Sequence, residues 1–165
     1  MTTPDAVLVL TTGGTIDKQY FDALSEYQIA ESMVETLLRT ARVRHPLRIQ
    51  ELMRKDSLEL TDADRAQVRK AVDDAAETAI VITHGTDTMV QTAAALEGLT
   101  DRTIVFVGAL APARFAESDA AFNLGMAFAC AQVAPPGIYI TMNGTVFPAA
   151  EVEKDRGRNA FVHKT

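Results

Sequence analysis

Ala6-Val7-Leu8-Val9-Leu10-Thr11-Thr12-Gly13-Gly14-Thr15-Ile16-Asp17 runs from a compact apolar stretch into a turn dense in glycine and threonine. A second stretch, Ala79-Ile80-Val81-Ile82-Thr83-His84-Gly85-Thr86-Asp87-Thr88-Met89, repeats the pattern. A short β-branched run that breaks off in such a turn reads as a buried strand. Residues 6–11 and 79–83 are therefore strands, and 47–52, 103–107 and 137–142 have the same character. Stretches of helical length lie between them, at 32–40, 62–77, 88–99 and 119–133. Thr61 with Asp64 three residues later resembles a capping box, with Asp in place of the usual Glu. Pro135-Pro136-Gly137 stops the last helix. Strict alternation of strand and helix predicts an α/β fold with three layers, a mostly parallel sheet covered by helices on both faces. We expect the flavodoxin-like strand order 2-1-3-4-5, which makes the first and third strands neighbours. Their two turns then open onto one edge of the sheet, where such folds place a ligand.

The 165 residues are read as one domain, large enough to bury a real core. A composition 47% hydrophobic and 23% charged excludes a disordered or fibrous chain. The net charge of −6 argues against nucleic acid or an anionic membrane as partner. Arg39, Arg42, Arg44 and Arg48 form a local basic cluster, read as a solvated helix end because no aromatics interleave with it. Cys130 is the sole cysteine and sits among alanines, as a small buried hydrophobe would. No signal peptide and no apolar run of membrane-spanning length is recognisable, so a cytoplasmic location is expected. Two long stretches, 16–30 and 108–117, read as irregular, and the first is expected to act as a lid. Residues 144–165 are polar and show no clear period.

Thr15 leads the list of groups that could do chemistry. A threonine hydroxyl attacks a carbonyl only when a base takes its proton and donors stabilise the oxyanion. Gly13 and Gly14 let the backbone approach a ligand closely and leave N–H groups free for that second task. Thr86 and Asp87 stand on the matching turn, where they would also be well suited to cap the following helix. Lys154, in Glu151-Val152-Glu153-Lys154-Asp155-Arg156, looks by itself like part of a solvated charge run. His84 reads as a satisfied structural histidine. His45 and His163 lack the neighbours of a metal site, so neither metal nor other cofactor is proposed. The turn lacks the third glycine of a dinucleotide fingerprint and the Gly-Lys-Ser/Thr of a P-loop.

The two turns together resemble the signature segments of the bacterial-type L-asparaginases. Further matches follow in order: Asp56-Ser57, Val107-Gly108-Ala109, Phe122-Asn123-Leu124, and Met142-Asn143 with Lys154 downstream. The resemblance implies that Thr15 is the nucleophile, forming an acyl-enzyme on the side-chain amide carbon of asparagine. It implies a second set in Thr86, Asp87 and Lys154, with Asp87 also holding the substrate's α-amino group. Ser57 matches the residue that grips the α-carboxylate, with Asp56 and Gly14 beside it in the substrate site. Tyr27 fits the lid tyrosine, which would pass a proton from Thr15 or pack the closed lid. Tyr20 reads as structural.

The resemblance covers the family's N-terminal catalytic domain, and a smaller C-terminal domain is absent from these residues. In two-domain relatives a neighbouring subunit's second domain brings an acidic residue to the site. Here that carboxylate comes from elsewhere, with Asp17, Asp22 and Glu26 as equal candidates, or is replaced by water, or is absent. The family's arginine-proline after Val-Gly-Ala is replaced by Ala111-Pro112. The expected activity is L-asparagine amidohydrolysis, with L-asparagine as small-molecule partner and a homo-oligomer as assembly. The alternatives are an amidohydrolase preferring glutamine or another small amide, and an amino-acid-binding or scaffold module with little turnover.

Overall fold

In a computed structural model that describes residues 6–165, five parallel strands form the centre of the molecule. They are β1 (Val7–Gly13), β4 (Leu47–Lys55), β5 (Ala79–Thr83), β6 (Thr103–Val107) and β7 (Gly137–Met142). Their order, β4-β1-β5-β6-β7, is the expected one. A sixth strand, β8 (Thr145–Pro148), adds antiparallel to β7 at the edge. Its signal was present in the sequence. Asn143-Gly144 is a two-residue hairpin turn, and both residues have positive φ, 53° and 67°.

Alternation along the strands sorts the core onto two faces. Leu8, Leu10, Ile80, Ile82, Ile104 and Phe106 pack with α2 (Asp62–Asp74) and α3 (Met89–Ala94). Val7, Val9, Val81, Val105 and Val107 pack with α1 (Val34–Thr40) and α4 (Ala120–Val133). That gives the three layers. The capping box at Thr61 and Asp64 forms with both hydrogen bonds present. Cys130 is buried in the second cluster, and burial pushes its thiol up. No helix among the described residues is long and apolar enough to cross a membrane.

Three expectations are corrected. The stretch 16–30 is not irregular: after a short 3-10 turn it forms a hairpin of β2 (Lys18–Phe21) and β3 (Glu26–Ile29). Its cross-strand pair Tyr20–Tyr27 and the left-handed Ser25 at the turn explain it, though both strands are short and largely exposed. The third helix is regular only to Ala94. Beyond it the N–H groups of Leu96 and Glu97 bond three residues back, and the chain turns at Gly98. The tail also carries order, a second hairpin of β9 (Val152–Asp155) and β10 (Ala160–His163). Buried Val152 and Phe161 anchor this hairpin on the first core cluster.

Candidate active site

The turns that leave β1, β4 and β5 interlock at the C-terminal edge of the sheet. Gly14 has φ +87°, and a Cβ there would lie 2.5 Å from the backbone nitrogen of Gly85. A Cβ on Gly85 would in turn lie 2.7 Å from Oγ of Ser57. The two signature turns touch because neither carries a side chain at the crossing. Thr12 Oγ1 donates to the Thr83 carbonyl across 2.7 Å, and Thr88 Oγ1 to the Ser57 carbonyl across 2.8 Å. Thr15 is the next residue after Gly14, at the start of the 3-10 turn that leaves this crossing. Gly14→Ala is expected to cost about 2–5 kcal/mol, from left-handed backbone and overpacking together. Urea denaturation of the variant checks it.

Lys154 is not solvated. Its Nζ donates to Thr86 Oγ1 at 2.7 Å and to Asp87 Oδ1 at 2.9 Å, and its side chain is only 14% exposed. The three residues come from the β5 turn and the β9 strand. Arg156 adds a second cation, 3.5 Å from the same Asp87 oxygen. The Lys154 hydrogen bond, helped by the charges of Lys154, Arg156 and Lys18, holds the Asp87 carboxyl below the usual carboxylate range. Thr86 and Asp87 do not cap α3: the N-cap residue is Thr88, and no side chain caps the helix. Their side chains turn to Lys154 instead.

Asp56 and Ser57 open a short 3-10 turn, Ser57–Glu59. Asp56 accepts from the Leu58 N–H and pairs with Lys18 at 3.3 Å, which ties it to the base of the β2–β3 hairpin. Ser57 is buried against Gly85. Tyr27 is half exposed, its ring 5.1 Å from Tyr20 and 5.9 Å from Phe115. The structure thus gathers Thr86, Asp87 and Lys154 closely and sets Gly14 and Ser57 against Gly85. It leaves Tyr27 in an aromatic group on the hairpin. Of the proposed acidic substitutes, Asp17 faces inward and accepts from Ser32 Oγ and the Met33 N–H. Burial pushes its carboxyl up. Asp22 and Glu26 are exposed on the hairpin.

Beneath the Thr86 turn, His84 has both ring nitrogens satisfied, as expected, through a polar chain whose other side chains, Arg65 and Thr92, the sequence did not single out. Arg65 Nε donates to Thr92 Oγ1 at 3.2 Å, and Thr92 Oγ1 lies 2.7 Å from His84 Nε2. The other ring nitrogen, Nδ1, faces the Gly85 carbonyl at 2.6 Å. The Gly85 carbonyl can only accept, so Nδ1 carries the proton of the neutral ring, and Nε2 accepts from the Thr92 hydroxyl, which accepts in turn from Arg65. Burial lowers the His84 pKa to about 4, from the ordinary 6.5. Above pH 6.5 the ring is neutral folded or unfolded, and the group contributes nothing. As pH falls from 6.5 towards 4 only the unfolded chain binds the proton, so stability drops. At pH 5 this one group is expected to remove about 2 kcal/mol relative to pH 7. Urea midpoints at the two pH values check it, and the difference should shrink in His84→Gln.

The family model described as "Asparaginase, N-terminal" matches residues 6–163. The chain is 31% identical over 172 residues to the glutaminase-asparaginase of Acinetobacter glutaminasificans, covering 95% of this chain and 51% of that protein. It is 31% identical over 166 residues to the L-asparaginase of Thermococcus kodakarensis, covering 94% and 50%. A solved structure of the thermostable L-asparaginase from that organism superposes with a TM-score of 0.82 at 30% identity, covering 96% of this chain and 51% of the other. The chain spans about half the length of the curated relatives it matches. A family match over nearly all of its length, together with the shared fold, places this chain in the asparaginase family, over the region of the family's N-terminal domain.

Proposed function

We propose that this crevice hydrolyses the side-chain amide of L-asparagine to aspartate and ammonia through an acyl-threonine on Thr15. The observation that carries the reading is the contact of Lys154 Nζ with Thr86 Oγ1 and Asp87 Oδ1 beside the Gly14-Thr15 turn. In the proposed first half, Thr15 Oγ1 forms an ester bond to the amide carbon and the C–N bond breaks. The hydroxyl proton travels to the departing nitrogen, which leaves as ammonia. In the second half, water positioned by the Thr86 hydroxyl, which Lys154 polarises, attacks the carbonyl carbon of the Thr15 ester; the bond to Thr15 Oγ1 breaks, the water's proton returns to that oxygen, and aspartate departs. Asp87 receives the α-ammonium and Ser57, with Asp56 and Gly14 around it, the α-carboxylate. Tyr27, carried on the hairpin that follows Thr15, passes the proton or closes over the bound substrate.

Preference between asparagine and glutamine is open to either side. One methylene changes discrimination by only ~1–3 kcal/mol, and one relative is named a glutaminase-asparaginase. Ammonia release across asparagine, glutamine and other small amides tests the proposal. Turnover of asparagine supports it. Turnover of glutamine alone moves the substrate and keeps the chemistry. Binding of these amino acids with no ammonia released would replace the enzyme by a binding module.

A further inference from the structure

Lys154 reaches Thr86 from outside the central sheet. The β9–β10 hairpin that carries it forms a separate two-stranded sheet, so something other than ladder hydrogen bonds must set the height at which Nζ arrives. Asn143 provides such a tie. It sits at the first position of the β7–β8 turn with φ +53°, and its Oδ1 accepts from the Phe161 N–H at 2.7 Å. Phe161 is the cross-strand partner of Lys154 in the hairpin register. The bond therefore runs from the end of a central strand to the residue directly opposite the lysine.

We propose that Asn143 is a positioning residue: it fixes the β9–β10 hairpin on the β7–β8 turn and so sets Lys154 Nζ against Thr86 Oγ1. Its effect on turnover rests on the function proposed above; its effect on the lysine does not. Two physical requirements select this side chain. The turn needs a residue that tolerates left-handed backbone, and asparagine does so more readily than other side chains. The Phe161 N–H points away from the lysine strand and needs an acceptor of asparagine's reach. Asp would meet both requirements, while Gly meets only the first.

That difference supplies the test. The Lys154 side-chain ammonium is followed by nitrogen NMR in the full chain, assigned through Lys154→Met, with amide exchange at Phe161 and kcat and KM for asparagine. Asn143→Gly keeps the turn and removes the acceptor. The expected result is faster exchange at Phe161, a moved Lys154 resonance, and kcat lower by about tenfold or more with KM nearly unchanged, since a misplacement near 1 Å is costly. Asn143→Asp should restore all three towards wild type. An unmoved Lys154 resonance in Asn143→Gly overturns the proposal, as does a moved resonance with unchanged kcat in an active enzyme. If the wild-type chain releases no ammonia from any amide, the proposed activity falls. The resonance and its restoration by Asn143→Asp then decide the positioning of Lys154 alone.

Discussion

Thr15→Ala is expected to lower ammonia release on the order of 10³-fold or more, because it deletes the atom that would carry the acyl group. The fold should survive. Thr15 lies on a partly buried turn and not in either core cluster, so the stability change should stay within about 0.5–1 kcal/mol. Thr15→Ser keeps the attacking oxygen and should retain measurable turnover. Initial rates with asparagine, beside a urea curve for each variant, check the expectation. Near-wild-type turnover in Thr15→Ala would remove it as acyl carrier and shift attention to Thr86, the hydroxyl that Lys154 contacts.

Lys154→Met should lower kcat by about 10²–10³-fold while changing substrate binding little. Methionine preserves the length of the side chain and removes the ammonium, so Thr86 loses its polarising donor. The variant also bears on Asp87. In the wild type, Lys154 holds that carboxyl below its usual range, so Asp87 stays ionised in mild acid. Asp87's folded pKa is depressed, so its contribution to stability is full above the unfolded pKa of 3.8 and is lost as pH falls through the folded value. With methionine in place, Asp87 should protonate at higher pH, and the acid limb of activity should move up. Stability should fall by about 1–3 kcal/mol, since a partly buried carboxylate loses its closest partner. A rate profile from pH 4 to 9 separates the two effects, and wild-type kcat would return Lys154 to a purely structural role.

Much of the architecture was legible because it is local. Runs such as Val7-Leu8-Val9-Leu10 and Ala79-Ile80-Val81-Ile82 are β-branched, short and cut off by glycine turns, so strand, direction and edge follow from neighbours in the chain. The alternation with helices then restricts the sheet to a few parallel orders. Thr15, Ser57, Thr86 and Asp87 could be placed at one edge by the same logic, since each follows a strand of that sheet. Weak local patterns failed. The β2–β3 hairpin is held by a Tyr20–Tyr27 pair and by Arg114, which donates to the carbonyls of Asp17 and Glu31 from 97 and 83 residues away.

The layers, the strand order and the residues that crowd one edge can be read along the chain, because strand, turn and helix signals act over a few residues. How those residues act on one another is a property of the folded molecule. Lys154 sits 68 positions from Thr86 in a stretch that reads as solvated charge, and its hydrogen bond exists because the β9–β10 hairpin folds back onto the sheet edge. His84 is neutral because the completed core removes water from its ring, and the Gly85 carbonyl keeps its proton on Nδ1. Both depend on desolvation and on distances between remote segments. Neither quantity exists until the chain has closed on itself.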